Sequence, residues 1–519
     1  MIMRLSELPI EVQALPGAIP VFRASVNASE LHALCERSRS QKTRLVALWG
    51  SDETTHGGGY ALHLALAFPS GLLWLSVPLD RGHPHYPGIA DIYPSADRVQ
   101  RAAYDLVGIH AQENPDHRKW LRHGAWPGGV FPLRKDFDIA NCFPLAEDHY
   151  PFIKVEGEGA HEIPVGPVHA GTIEPGHFRF SIVGEKILRL EERLGYKHKG
   201  IEKRLETMTL EEGAKLAGRI SGDSTVAYAW SYAMAVEGAT GGTEPPRRAL
   251  ALRGIMLELE RVANHLGDIG YLGNDVALSF GFFQFWRLKE DLLRLNAQLF
   301  GHRYLMDMIV PGGVAKDLSK READLLLDRL EKIRVEVATL KSIYDEHAGA
   351  QDRFIMTGQV LPVLAEKMGL TGFAGRASGI RHDLRIDYSV PPYQQLKVQL
   401  ASHTRGDVAA RVSVRFDELT ESIRLIQELV RQLPSGDIRV PLADAVVSDK
   451  SGVGWVEGWR GEILIALESG ENNRIHRCHA HDPSWQNWPA LQHAVIGNIV
   501  PDFPLINKSF NLSYSGHDL

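Results

Sequence analysis

The chain has 519 residues, of which 44% are hydrophobic and 23% charged, with a formal net charge of −7. That length exceeds one ordinary core and predicts two domains in a soluble globular protein. Charges of both signs are mixed with no basic arm, which argues against a nucleic-acid partner, and charge interrupts every apolar run well short of a membrane span.

The opening stretch, MIMRLSELPIEVQAL, has no long apolar core and no small-residue cleavage site, so no secretory signal is expected. Cys35, Cys142 and Cys478 are scattered, with no CxxC spacing. That pattern fits a reducing compartment and excludes a disulfide framework or an all-cysteine cluster site. The first unit, residues 1–145, reads as α/β. Thr43–Trp49, Tyr60–Phe68 and Leu72–Pro78 are apolar, strand-length and separated by glycine-rich turns, which predicts an antiparallel meander. A helix is expected over Ser95–Leu106, with Val99, Ala102, Ala103 and Leu106 on one face. Tyr104–Asp138 is dense in Trp, Pro, Arg and His, the composition of a docking surface or a tightly packed loop.

Residues 146–165 are acidic and rich in Gly and Pro, and are assigned as the linker. The second unit, 166–519, opens with GPVHAGTIEPGHF and a hairpin that turns near Gly184–Glu185, with Phe178, Phe180 and Ile182 alternating on its buried face. Helices then dominate. Leu252–Ile269, Lys320–Ile343 and Ser413–Gln432 each carry an apolar stripe at helical spacing, which is core and suggests a long-helix bundle. The end returns to strands and loops.

One stretch in this unit carries the strongest chemical signal, Arg219–Trp230, RISGDSTVAYAW. Ser221 and Ser224 lie three apart at the start of an expected buried helix, so both side chains point the same way. Cysteines at that spacing would clamp a soft metal, but a hydroxyl is hard and stays protonated near neutral pH. Ser513 and Gly516 repeat the spacing in NLSYSG. Gly452–Gly458 lacks the GxGxxG spacing and leads into a strand, and no GxxxxGK[ST] occurs, so neither NAD nor ATP binding is expected. His476, Cys478, His479 and His481 would alternate across a strand, splitting any ligand set, and they read as packing. Glu174 and His177, with His169 upstream, share a Gly/Pro-rich loop, where a buried glutamate could relay protons. The Gly/Arg-rich loops Gly375–Arg385 and Gly454–Glu462 place Arg376 and Arg460 as pocket-lining or ion-pairing groups.

Taken together, YDLVGI, HGAWP and FPLRKDF resemble the 30 kDa-type subunit of respiratory complex I. GPVHAGTIEPGHF, GIEKRLE, ELERVANHLGDIG, GLTGFAGRASG, GDVAARVSVR and GWVEGWRGE resemble the 49 kDa quinone-site subunit. They are still more similar to the large subunit of group 4, formate hydrogenlyase-type [NiFe] hydrogenases, where both parts are fused in this order. The resemblance implies an α+β chain, with an N-terminal α/β domain before a mainly helical large-subunit domain that has a small β portion. It also locates the departures. The family's RxCGxC is RISGDS here and its DPCxxC is NLSYSG, so the four nickel thiolates map to Ser221, Ser224, Ser513 and Gly516. The chain ends at Leu519, where a maturation tail is expected to be lacking. The complex I headgroup pair is not reproduced either. His169 matches GPxH, but the second His is displaced and Gly222 stands at the tyrosine's place. Glu174 matches the family's proton-transfer glutamate.

The expectation is therefore a large-subunit homologue in a hydrogenase-related, complex I-like assembly, with no cofactor bound by this chain. Its expected partners are an iron–sulfur small subunit of the complex I 20 kDa type, carrying the Fe–S cluster, and membrane ion-translocating subunits. Its expected place is the cytoplasmic face of the membrane, held there through those partners. The alternatives are a quinone oxidoreductase subunit with a rearranged site around His169, Glu174 and Asp223, and a non-catalytic scaffold.

Overall fold

The computed structural model describes residues 10–124, 126–144, 146–147, 149–170, 173–442 and 449–519. The reading of the extreme N-terminus, and parts of the HGAWP and GPVHAGTIEPGHF motifs, lie outside the described residues.

The predicted meander is present as β3 (Arg44–Asp52), β4 (Tyr60–Phe68) and β5 (Gly71–Leu79), paired antiparallel in sequence. It belongs to a larger mixed sheet. The short β1 (Gln13–Leu15) and β2 (Val21–Ser25) extend it in the order β1-β2-β5-β4-β3, with β2 parallel to β5. The connection from β2 to β3 runs through α1 (Ala28–Ser40), whose N-terminus carries an Asn27–Glu30 capping box. α2 (Ala96–Val107) is the predicted helix and ends on Gly108 in the left-handed conformation.

Side-chain alternation gives this sheet two buried faces. Leu62, Leu64, Leu66, Leu73 and Leu75 share a core with Leu31 and Leu34 of α1 and Val99 of α2. Trp49, Ala65, Ala67, Leu72 and Trp74 enter the core of the second unit. Polar contacts seal the same face: Arg44 Nη1 to Glu462 Oε1 at 2.5 Å, Arg23 Nη2 to Glu468 Oε1 at 2.6 Å, and Gln486 Nε2 to the Val46 carbonyl at 2.6 Å.

The loop after α2 is tightly packed around Trp120–Arg122, while Pro127–Gly129, Asp136 and Asp138 are exposed. Asp105 accepts the backbone N–H groups of Trp120, Leu121 and Arg122, and the Arg98 and Arg101 guanidiniums lie over the Trp120 ring. A small parallel pair, β6 (His85–Pro87) and β7 (His110–Gln112), flanks it.

The assigned linker is corrected at its end. Residues Ala160–Val165 form β8, which adds antiparallel to β9 (His177–Val183), itself paired to β10 (Lys186–Arg193). The hairpin therefore gains a third strand from a segment whose Gly and Pro content masked it.

After the short α3 (Ile201–Leu205) and α4 (Leu210–Ala217), α5 (Thr225–Ala239) is buried along all 15 residues. It is enclosed by α6 (Arg247–Asp275), by α7 (Ser279–Phe300) beyond the latter, and by a sheet of β13 (Ser451–Glu457), β14 (Glu462–Ser469) and β15 (Ile475–His481). β11 (Ile309–Val310) and β12 (Gly313–Val314) form a small ribbon. Helices α8 (Lys320–Glu346), α9 (Ala348–Phe354), α10 (Pro362–Met368), α11 (Gly372–Ala377), α12 (Leu384–Asp387) and α13 (Val408–Arg431) follow, and α14 (Ser484–Ala494), α15 (Phe503–Phe510) and α16 (Tyr514–Asp518) end the chain. The glycines of GVGWVEG serve packing. A Cβ at Gly452 or Gly454 would overlap the Ala235 or Ser231 carbonyl, so their absence lets β13 lie against α5, where Ser231 Oγ donates to the Gly454 carbonyl at 2.7 Å.

The apolar stripes on α6, α8 and α13 are core, as expected. On α6 and α13 a polar stripe is buried too. Glu258, Arg261, His265 and Asp268 of α6 face Arg411, Arg415, Glu418 and Ser422 of α13, all enclosed. No helix among the described residues is long and apolar enough to cross a membrane.

Candidate functional site

The four positions matching the metal pattern converge between α5, the loop after β13 and α16. Ser221 and Ser513 hydroxyls lie 3.0 Å apart, although they are 292 residues apart in the chain. Ser221 Oγ donates to Asp223 Oδ1 at 2.8 Å, so its oxygen accepts from Ser513. Ser513 Oγ in turn accepts the Gly516 N–H at 2.8 Å, capping α16. The hydrogen bonds therefore run in one direction, from the Gly516 amide through two hydroxyls to the Asp223 carboxylate.

Arg460 closes the centre from the β13–β14 turn. Its Nη1 and Nη2 fork onto Asp223 at 2.7 and 2.6 Å, Nη1 also reaches Ser224 Oγ at 3.3 Å, and Nε donates to the Asn511 carbonyl at 2.6 Å. Enclosure raises the Asp223 pKa, but the charge and hydrogen bonds of Arg460 and the Ser221 hydroxyl outweigh this and hold it at about 2. Trp459 Nε1 and Asn264 Nδ2 both donate to the Asp223 carbonyl at 2.8 Å, so the RISGDS turn is held from three sides.

The residues present do not fit a [NiFe] centre. Three of the ligand positions are hydroxyls satisfied by one another, by Asp223 and by a guanidinium. At the fourth, a Cβ on Gly516 would fall well inside van der Waals contact with Asp482 Oδ2 and 2.9 Å from Ser513 Oγ. Asp482 is fixed there by Tyr228 OH, which donates to Oδ2 at 2.7 Å, and by the Ser484 N–H on Oδ1 at 2.8 Å. The space a cysteine would need is filled by a carboxylate.

Two residues that the sequence reading did not single out complete the centre, Asp482 and Glu260. Glu260 accepts the Val226 and Ala227 N–H groups at the N-terminus of α5, at 2.7 and 3.2 Å. Burial pushes its pKa to about 8 against those two amides, and the neighbouring Asp223 charge adds to the rise. Neither Asp482 nor Glu260 carried a local signal, since Glu260 is one of several charges on α6, with Arg253, Glu258, Arg261 and Asp268.

The other expected residues divide. Glu174 reaches the back of the same segment: its carboxylate accepts the Ser515 N–H at 2.9 Å and also the Ser515 hydroxyl. The condition of burial is not met, because its side chain is 41% exposed and lies 3.8 Å from Lys197 Nζ. His169 does not turn to Asp223. Its Nε2 bonds the Gly176 carbonyl at 2.8 Å, while His177 Nδ1 bonds that of Gly166 at 3.2 Å, so the two histidines brace their own loop. For Arg376 the structure shows the ion-pairing alternative, within the chain, rather than the pocket-lining one: it is enclosed, with Nε 2.8 Å from Glu418 Oε1 and Nη1 2.8 Å from Glu457 Oε1. Glu418 also bonds His265 at 2.9 Å, and Arg385 joins Asp383 to Glu258 nearby. A second strand of charge leaves the centre itself: Asn511 Nδ2 donates to Asp268 at 2.8 Å, and Asp268 pairs with Arg415 at 3.2 Å.

Comparison with known proteins agrees with this layout. Residues 24–142 match the family described as respiratory-chain NADH dehydrogenase, 30 Kd subunit, and residues 275–454 match its 49 Kd subunit. The chain is 30% identical over 482 residues to formate hydrogenlyase subunit 5 of Escherichia coli (strain K12), covering 91% of this chain and 84% of that one. It is 31% identical over 484 residues to hydrogenase-4 component G of the same organism, covering 91% and 83%. Among solved structures, the membrane-bound sulfane sulfur reductase, described as an archaeal respiratory membrane complex, contains a chain with the same fold. The TM-score is 0.66 at 24% identity, with coverage of 70% of this chain and 99% of that one. The chain therefore belongs to the family of formate hydrogenlyase subunit 5 and hydrogenase-4 component G, in which a complex I 30 kDa-type unit is fused to a 49 kDa-type, hydrogenase large-subunit-like unit.

Proposed function

We propose that this chain is the large-subunit homologue of a membrane-bound, hydrogenase-related, complex I-like redox and ion-translocating complex, working without a [NiFe] centre. The observation that carries the proposal is the chemistry of the converged positions. Ser513 and Ser221 form a hydrogen-bond chain onto Asp223, Ser224 accepts from Arg460, which pairs with Asp223, and Asp482 fills the space beside Gly516. A hard, protonated and already satisfied donor set supports a centre that holds charge and protons in place of nickel.

In that role Asp223 and Arg460 form a fixed ion pair, Glu260 is a buried acid that holds its proton at neutral pH, and the part-exposed Glu174, bonded to Ser515, stands at the solvent end of the proton path. The chain docks peripherally, through an iron–sulfur small subunit of the complex I 20 kDa type and ion-translocating membrane subunits, at the cytoplasmic face. The Fe–S cluster belongs to that small subunit. The quinone-headgroup reading around His169, Glu174 and Asp223 has less support, because the first braces its own loop and the last is clamped by Arg460.

Elemental analysis of the purified complex, with mass spectrometry of its subunits, tests the proposal. The expected result is no nickel, with iron accounted for by a partner's clusters. Stoichiometric nickel on this chain would sink it.

A further inference from the structure

Away from this centre, the turn that follows β3 meets the outer end of β15. Glu53 and His56 come from the turn and His476 from the strand, 423 residues from Glu53. His476 Nε2 lies 3.0 Å from Glu53 Oε2. His56 Nδ1 lies 3.8 Å from the same oxygen and 3.6 Å from Asp449 Oδ1. The two imidazole rings stack with centroids 4.0 Å apart, and one donor atom from each of Glu53, His56 and His476 lies within 4.8 Å of the others.

We propose that Glu53, His56 and His476 form a binding site for a divalent cation of the zinc class, with the fourth position open to Asp449 or water. A glutamate bonded to a single histidine would be an ordinary pair. Here a second histidine closes on the same carboxylate oxygen, and its donor nitrogen also faces another carboxylate. Zinc bonds of about 2.0–2.2 Å place tetrahedral ligand atoms roughly 3.3–3.5 Å apart, and the observed separations of 3.0, 3.6 and 3.8 Å bracket that spacing. Two imidazole nitrogens with a carboxylate suit zinc rather than calcium or magnesium, which take oxygen sets.

Burial is graded as a loadable site requires. The side chain of His476 is 8% exposed, Glu53 25%, His56 38% and Asp449 71%, so the inner ligands are held while the outer ones open to solvent. Glu53 Oε1 is shut away from solvent with no hydrogen-bond donor in ordinary geometry among the described residues. The alternation along β15 that separates His476 from His479 does not matter here, because the other ligands come from the first unit. A bound ion would clasp the first unit to the terminal sheet.

The test uses the full, untagged chain, stripped with chelator and titrated with Co2+ and then Zn2+. One equivalent of Co2+ is expected, with the intense visible absorption of four-coordinate cobalt, displaced by Zn2+. His56→Ala removes a part-exposed side chain, and is expected to weaken binding by about 100-fold with an unchanged circular dichroism spectrum. His476→Gln, which retains a donor for Glu53, is expected to lose binding to a similar extent with an unchanged circular dichroism spectrum. Absence of saturable binding, or equal affinity in wild type and both variants, would overturn the assignment.

Discussion

Glu260 offers the most direct test of the electrostatics at the centre. It is 6% exposed and its two oxygens accept only backbone amides, so burial lifts it from 4.5 to about 8. Below pH 4.5 the folded and unfolded chains both hold this proton, and the group contributes nothing to the pH dependence. Between 4.5 and about 8 the unfolded chain releases it while the folded chain keeps it, so stability falls as pH rises, by about 1.4 kcal/mol per pH unit. Above about 8 the loss levels off near a ceiling of roughly 5 kcal/mol. Glu260→Gln is neutral in both states and removes that slope, but its amide leaves one N–H of α5 without an acceptor, at a cost of about 1–3 kcal/mol. The variant should thus be the less stable protein at pH 5 and the more stable one by pH 8, with the crossing between about pH 5 and 7. Urea midpoints of both proteins, followed by tryptophan fluorescence across that range, measure the difference directly. Trp459, bonded to Asp223, reports from the site itself. Parallel pH profiles for the two proteins would refute the reasoning, because Glu260 would then titrate alike in both states.

Three further outcomes follow from the geometry. Gly516→Ala forces Asp482 away from Tyr228 and should cost roughly 1–3 kcal/mol, read as a lowered thermal midpoint; an unchanged midpoint would mean that the segment has room for a side chain. Arg376→Met strands Glu418 and Glu457 without their counter-ion and should cost roughly 3–5 kcal/mol, seen as loss of soluble folded chain; a variant as stable as wild type would show that His265 and the remaining arginines suffice. Glu174→Gln, at a part-exposed position, should move stability by no more than about 0.5 kcal/mol while slowing turnover of the assembled complex, and undiminished turnover would remove Glu174 from the proton path.

Much of the architecture is legible in the sequence because periodicity is a direct imprint of burial. The strands of the meander, α2, α6, α8 and α13 all appear where their apolar spacing places them. The signal fails where elements are short or atypical. β1 and β2 have three and five residues, too few for alternation to stand out, and α1 is mostly polar. β8 hides in a Gly- and Pro-rich segment because only Ile163 and Val165 alternate as apolar residues, with Pro164 between them, and its pairing with β9 completes the strand. At the centre, the serines, Gly516, Asp223 and Arg460 lie in local motifs, and the structure brings them together. Asp482, Tyr228 and Glu260 contribute through contacts between remote segments, which no local spacing records. For Arg376 two readings stayed open in the sequence, since a Gly/Arg loop looks the same whether it lines a pocket or is packed shut by three carboxylates.

The double-sided burial of the first sheet has a consequence for how the protein is made. Strands β3 to β5 leave the ribosome early, but the partners that cover one of their faces lie far downstream; the Val46 carbonyl waits for Gln486, 440 residues later. At roughly 5–20 residues per second, that is about 20–90 s during which a face carrying Trp49, Trp74 and Leu72 has no native cover. Translation rate and chaperone supply therefore act on this chain at a defined step, the interval between completion of β3 and emergence of Gln486 on α14. Slowing synthesis across that interval should lower the yield of assembled protein more than slowing it anywhere after residue 488.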